Sequence, residues 1–256
     1  MKRAAIFASV CALGACLRAA DAPVQPGQKS QAARAKPSWA FSPDPALPNV
    51  LILGDSISIG YTLEVRALLR GKANVFRPIT ADGQNAENCS GTTKGVRSID
   101  RWLGDRKWAV IHFNFGLHDL KHVAKAGDDA ATSNPNHPRQ ATVGQYKRNL
   151  ETIVGKLQAA GARLVFATTT PVAPGSTKPL REPEEPPRYN AAALEIMKAN
   201  GIRVNDLFAF CTPQLNRLQL PRNVHFTPAG YQALAEQVAK VIEQELRTAG
   251  EKKPAR

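Results

Sequence analysis

Five short apolar runs, each followed by an amphipathic stretch, constrain this chain more than any other feature. The runs fall at 49–54, 74–77, 108–113, 163–168 and 203–206, and helical patterns follow near 59–70, 93–104, 143–160, 187–200 and 228–247. An uninterrupted apolar run such as Val50 to Leu53 reads as a strand covered on both faces. Connections this long rule out hairpins and imply parallel βαβ units. The expectation is therefore an α/β fold with a central five-stranded parallel sheet. With 256 residues, 43% of them hydrophobic, the chain can bury one full core, and no second folded domain is needed.

The segment before the first strand has a different character. Residues 1–22 begin with Met1-Lys2-Arg3, continue with a short apolar stretch to Leu17 and end on the small residues Ala20 and Ala22. That order of charge, apolar core and small residues is a secretory signal, too short to span a bilayer as an anchor. Export to a periplasmic or extracellular space is the expectation, with cleavage after Ala22; Leu13-Gly14-Ala15-Cys16 also fits a lipoprotein box acylated at Cys16. Residues 23–47, rich in Pro, Gln, Lys and Ala, read as a flexible linker, 48–248 as the folded domain and 249–256 as a basic tail.

Loss of Lys2, Arg3, Arg18 and Asp21 with the signal lowers the formal charge from +13 to +11. The basic residues are scattered, aromatic residues make up only 6%, and no nucleic-acid module is recognisable, so a nucleic-acid partner is not expected. Outside the signal only Cys89 and Cys211 remain, and nothing in the sequence says whether they pair.

The first run breaks at Gly54-Asp55-Ser56, where the chain turns into a helix. The first turn of a helix carries unpaired N–H groups and positive potential, so a serine there sits where negative charge is stabilised, although Asp55 or Ser56 also suits simple N-capping. Three other segments fall at the same edge of the predicted sheet: Asn88-Cys-Ser-Gly-Thr-Thr93, Gly116-Leu-His-Asp119 and Val224-His-Phe-Thr-Pro228. Ligands of open α/β sheets bind at that edge. Two Pro-, Gly- and charge-rich loops, 121–141 and 171–187, leave it and are candidates for shaping access.

From about residue 49 to 245 these blocks resemble the SGNH hydrolases, also called the GDSL esterase family. The resemblance implies a flavodoxin-like three-layer α/β/α fold, Ser56 as nucleophile and His225 as base. Chemistry agrees with those two roles, since a serine hydroxyl needs a base to take its proton and a near-neutral imidazole can return it to the leaving alcohol. Thr227-Pro228 reads as an N-cap and first helical residue that would fix the His225 loop. The resemblance further implies an oxyanion hole from the N–H of Ser56, a glycine N–H at Gly91 (with Ser90 as the other choice) and a side chain in the third block.

Two departures from the family pattern stand out. His118 occupies the position of the family's asparagine; neutral imidazole can donate one N–H, but only in the right tautomer. The family's aspartate, three residues before the base, is replaced by Arg222, so a Ser–His dyad is expected, with Asn223, Asp206 or Asp119 as candidates for orienting His225.

These readings lead to an exported esterase that removes small acyl groups, acetyl above all, from a carbohydrate. Its partner would be a small-molecule or polysaccharide ester; no cofactor and no metal are required. Two other classes stay open: an inactive domain of this type that binds acylated glycans, motivated by the missing aspartate, and a metal-dependent hydrolase, motivated by His112, His118, Asp119 and His122. Thr168-Thr-Thr170 either lines the pocket or ends the fourth strand.

Overall fold

A computed structural model of the chain describes residues 39–250. The signal peptide, Cys16 and residues 23–38 of the expected linker lie outside the described residues, as does the end of the tail.

In chain order the elements are β1 (Asn49–Leu53), α1 (Ser56–Leu68), β2 (Asn74–Phe76), α2 (Thr92–Leu103), β3 (Val110–Phe113), α3 (Val143–Ala159), β4 (Arg163–Ala167), α4 (Glu185–Ala199), β5 (Arg203–Asn205), α5 (Leu207–Cys211), a 3₁₀ turn (Thr212–Gln214), α6 (Leu215–Leu218) and α7 (Pro228–Gly250). The strands form one five-stranded sheet in the order β2-β1-β3-β4-β5, with every neighbouring pair parallel. Helices α2, α3 and α4 pack side by side, and α1 packs against α7, which makes the two outer layers.

Burial explains why each run became a strand. Val50 to Leu53, Val110, Ile111, Phe113 and Val165 to Ala167 are at most 1% exposed, as residues covered on both faces must be. The helices bury one stripe each: Ile99 and Trp102 of α2 and Tyr146, Leu150, Ile153, Val154 and Leu157 of α3 turn inward at three- and four-residue spacing. His112 is the polar exception in β3. It is fully buried beside Tyr61 and 3.2 Å from Asn205 Nδ2, and burial pushes its pKa down to about 3, so it stays neutral.

Three boundaries differ from expectation. Helix α1 begins at Ser56 because the Asp55 carboxylate accepts the Ile57 N–H at 2.9 Å and caps it. Short helices fill 207–218, where no periodicity was legible, since elements of three to five residues are too short to show a 3.6-residue repeat. Residues 39–47 belong to the body rather than to a free linker. Asp44 exchanges hydrogen bonds with Asn74, the Phe41 ring lies 4.9 Å from that of Phe76, and the Arg66 guanidinium stacks 4.1 Å above Phe41.

Candidate active site

Strands β1 and β3 run in register, so the loops leaving Leu53 and Phe113 emerge together at the carboxyl edge of the sheet. Capping falls to Asp55, which leaves Ser56 free as the first residue of α1. Its Oγ lies 2.9 Å from His225 Nε2. His225 stands on a rigid loop: its carbonyl accepts from Leu220 N–H, Gln219 Nε2 donates to the Val224 carbonyl, and Thr227 caps α7 by accepting the Gly230 N–H.

Asn223 settles the state of that histidine. Its Oδ1 is 3.0 Å from the His225 backbone nitrogen and 2.9 Å from His225 Nδ1. A backbone N–H can only donate, so the atom facing it is the amide oxygen, and Nδ1 must carry the proton it gives to the same oxygen. Nε2 is then bare and accepts from the Ser56 hydroxyl. Burial and the Arg181 charge hold His225 below its ordinary pKa, while the buried Asp55 carboxylate pulls the other way. The cation acting on His225 is thus Arg181, not the Arg222 that replaces the family's aspartate.

The other expected partners of His225 lie elsewhere. Asp206 caps α5 through the Ala209 N–H and accepts from Thr168 Oγ1 at 2.8 Å. Asp119 is fully buried and accepts from the Thr92 N–H and hydroxyl at the start of α2. Neither contacts His225. Thr168 to Thr170 end β4 rather than lining the main cavity: Thr168 serves α5, and Thr169 Oγ1 donates to the Phe115 carbonyl.

The second and third blocks meet through Asp119, which ties the start of α2 to the turn that carries His118. In that turn Gly116 has φ +145°, and a Cβ there would sit 2.1 Å from Thr169 Oγ1, so only glycine fits. The Ser90 N–H donates to Asn88 Oδ1 at 2.8 Å, whereas the Gly91 N–H has no acceptor among the described residues. That favours Gly91 over Ser90 as a donor, although Gly91 is not among the residues that wall the cavity described below.

His118 Nδ1 lies 2.9 Å from Ser90 Oγ and 3.3 Å from Lys121 Nζ. An ammonium only donates, so Nδ1 is the accepting nitrogen and the ring proton resides on Nε2. Burial and Lys121 push the His118 pKa down to about 3, which keeps the ring neutral. Lys121, which no sequence motif marked, thus favours the tautomer that can donate to an oxyanion, while Ser90 Oγ, which also lies 3.1 Å from Asp129 Oδ1, is compatible with either ring form.

Ser56, His225 and His118 share the wall of an open cavity of about 710 Å³. Both long loops contribute to it, 121–141 through Lys121 and Ala131 and 171–187 through Gly175 to Pro179 and Arg181. The histidines of the metal reading do not converge. His112 is inside the sheet, and His122 bonds to the His137 carbonyl and to Glu182. Among the described residues no group of three or more His, Cys, Asp or Glu side chains is placed to hold a metal. Cys89 and Cys211 are both buried and unpaired. Among the same residues no helix is long and apolar enough to cross a membrane.

A three-layer parallel α/β sandwich carrying a Ser–His pair at the carboxyl edge of its sheet defines a class of hydrolases. The family model for GDSL-like lipases and acylhydrolases matches residues 52–233, and the chain belongs to that family of carboxylic ester hydrolases. Solved structures share the fold at low identity. A lipase/acylhydrolase from Enterococcus faecalis is 19% identical with a TM-score of 0.60, covering 82% of this chain and 99% of its own. The acetyl xylan esterase AlAXEase is 12% identical, with a TM-score of 0.59 and coverage of 76% and 99%. A catalytic mutant of Axe2, an acetylxylan esterase from Geobacillus stearothermophilus, is 14% identical, with a TM-score of 0.57 and coverage of 78% and 94%. No curated protein sequence matches the chain.

Proposed function

We propose that this chain is an exported serine esterase that releases small acyl groups, acetyl foremost, from a carbohydrate. The observation that carries the reading is the hydrogen-bond chain Asn223 Oδ1–His225–Ser56 Oγ, both links 2.9 Å, which leaves the base nitrogen directed at the nucleophile. His225 Nε2 takes the Ser56 proton as Oγ attacks the ester carbonyl. The oxyanion that forms is met by the N–H groups of Ser56 and Gly91 and by His118 Nε2–H. Collapse expels the sugar hydroxyl, protonated by His225, and water then hydrolyses the acyl-serine by the same route.

Asn223 takes over one of the two tasks of the missing aspartate. It fixes the tautomer and ring orientation, but a neutral amide lends no charge to the imidazolium that forms. The small acyl group is supported by a wall of short polar side chains such as Asn88, Ser176 and Thr177, which suits sugar hydroxyls better than alkyl chains, and by the acetylxylan esterases among the structural neighbours. The apolar stretch in residues 1–22 supports export.

The test is hydrolysis of p-nitrophenyl acetate and acetylated xylan by the mature protein and by Ser56→Ala, each with and without EDTA. Loss of activity on the order of 10³-fold or more in Ser56→Ala, with no response to EDTA, is expected. Equal rates for the two proteins would remove Ser56 from the mechanism.

A further inference from the structure

The charge on the cavity wall is of one sign. Lys121, Lys178, Arg181 and Arg222 line it, and no aspartate or glutamate does. Elsewhere the carboxylates are matched with cations: Glu87 with Lys94 and Arg101, Glu245 with Arg163 and Arg203. Two of the three acidic residues of the 171–187 loop are bound to other groups, Glu182 to His122 and Arg139 and Glu185 to Arg139 and Arg188, and the third, Glu184, is exposed and does not line the cavity. Lys121 has Asp129 at 3.5 Å, but Lys178, Arg181 and Arg222 have no ion-pair partner among the described residues.

Arg181 is the most telling of the three. It is 7% exposed, and the one hydrogen bond of its side chain runs from Nε to the Leu117 carbonyl at 2.8 Å. The terminal nitrogens of this nearly buried guanidinium have no protein acceptor and are not among the buried polar atoms cut off from solvent, so they open onto the cavity and are free to donate to a ligand there. Arg222 is exposed, but its path is defined. It has φ +54°, in the left-handed region that non-glycine residues seldom adopt, and its side chain crosses Gly175, where a Cβ would meet the Arg222 stem at 3.2 Å. Local backbone strain of that kind persists where surrounding structure maintains it.

We infer that Arg181, Arg222 and Lys178 form a subsite for an anionic group, so that the substrate is an ester of an acidic sugar, carboxylated or sulfated, rather than of a neutral one. This rests on the reading that the cavity beside Ser56 is where the ester binds. The arginine at the position of the family's aspartate then has a task of its own: it places charge before the substrate rather than behind the base. Planar guanidinium groups suit carboxylate and sulfate oxygens alike, through paired N–H donors.

The experiment compares initial acetate release from per-acetylated methyl glucuronoside, per-acetylated methyl glucoside and the 6-sulfate of the latter, with wild type and with Arg222→Gln/Lys178→Gln. Wild type is expected to favour at least one acidic sugar in kcat/KM by roughly tenfold or more, the scale of a charge-assisted hydrogen bond. That preference should shrink in high salt and collapse toward unity in the double variant. The two acidic sugars distinguish a carboxylate site from a sulfate site. Equal or better turnover of the neutral glucoside, or a preference that survives the double substitution, would overturn the inference. Calorimetry of Ser56→Ala with oligoglucuronate and with xylo-oligosaccharide separates this outcome from failure of the esterase reading. Selective binding of the acidic oligomer by a protein that hydrolyses no ester would uphold the subsite and refute the esterase, whereas absent binding alongside active ester hydrolysis would refute the subsite alone.

Discussion

At the residue scale the proposed chemistry turns on one amide oxygen. Because Asn223 Oδ1 holds Nδ1–H of His225 without adding charge, the base is oriented but stays below its ordinary pKa, pushed there by burial and Arg181. In the proposed mechanism catalysis needs the neutral imidazole, so kcat/KM should fall with a slope of one on the acid side, with its midpoint below the usual ~6.5 of histidine. His118, held near 3, adds no second step to that limb. Asn223→Asp places a carboxylate against Nδ1, stabilises the imidazolium and should move the acid limb to higher pH while raising kcat. Asn223→Ala frees the ring and should lower kcat by about 10²-fold or more, toward the ~10⁴ seen where a triad loses its tautomer. A pH–rate profile of the three proteins checks both, and an acid limb unmoved in Asn223→Asp would show that Asn223 does not act through His225.

At the element scale the site depends on how α2 is joined to the turn after β3. Asp119 accepts from both the N–H and the hydroxyl of Thr92, and through it the loop bearing Gly91 and the turn bearing His118 hold a common position. Asp119→Ala leaves those buried donors unpaired and should destabilise the fold by ~2–4 kcal/mol, together with a loss of activity larger than thermal unfolding at the assay temperature explains. Chemical denaturation alongside kcat measures both. The sequence already showed the strands and long helices, because the apolar runs and the 3.6-residue stripes of α2 and α3 are local patterns. It did not show α5 and α6, or the tie between Asp119 and Thr92, 27 residues apart, which arises only when two loops meet.

At the scale of the whole molecule, the segment at 39–47 packs against β2, the edge strand of the sheet. Phe41 packs on Phe76 and under Arg66, so Phe41→Ala in the full chain should cost about 1 kcal/mol and lower Tm by ~2–4 °C in a domain of this size, read by calorimetry; an unchanged Tm would return the segment to the linker its composition suggested. Pro- and Ala-rich composition reports what a segment can do alone and not what surface it meets. The sequence by itself determined the alternation that makes a parallel sheet and the placing of Ser56 and His225 at its carboxyl edge, because strand burial, helix periodicity and turn chemistry act over a few residues. Only the tertiary structure decided that Asn223 rather than Asp206 bonds to His225, that Lys121 lies against His118 Nδ1, and that Lys178, Arg181 and Arg222 face one cavity without a carboxylate. Those relations join side chains from separate loops, and the paths of loops follow from packing against the rest of the fold rather than from any local periodicity.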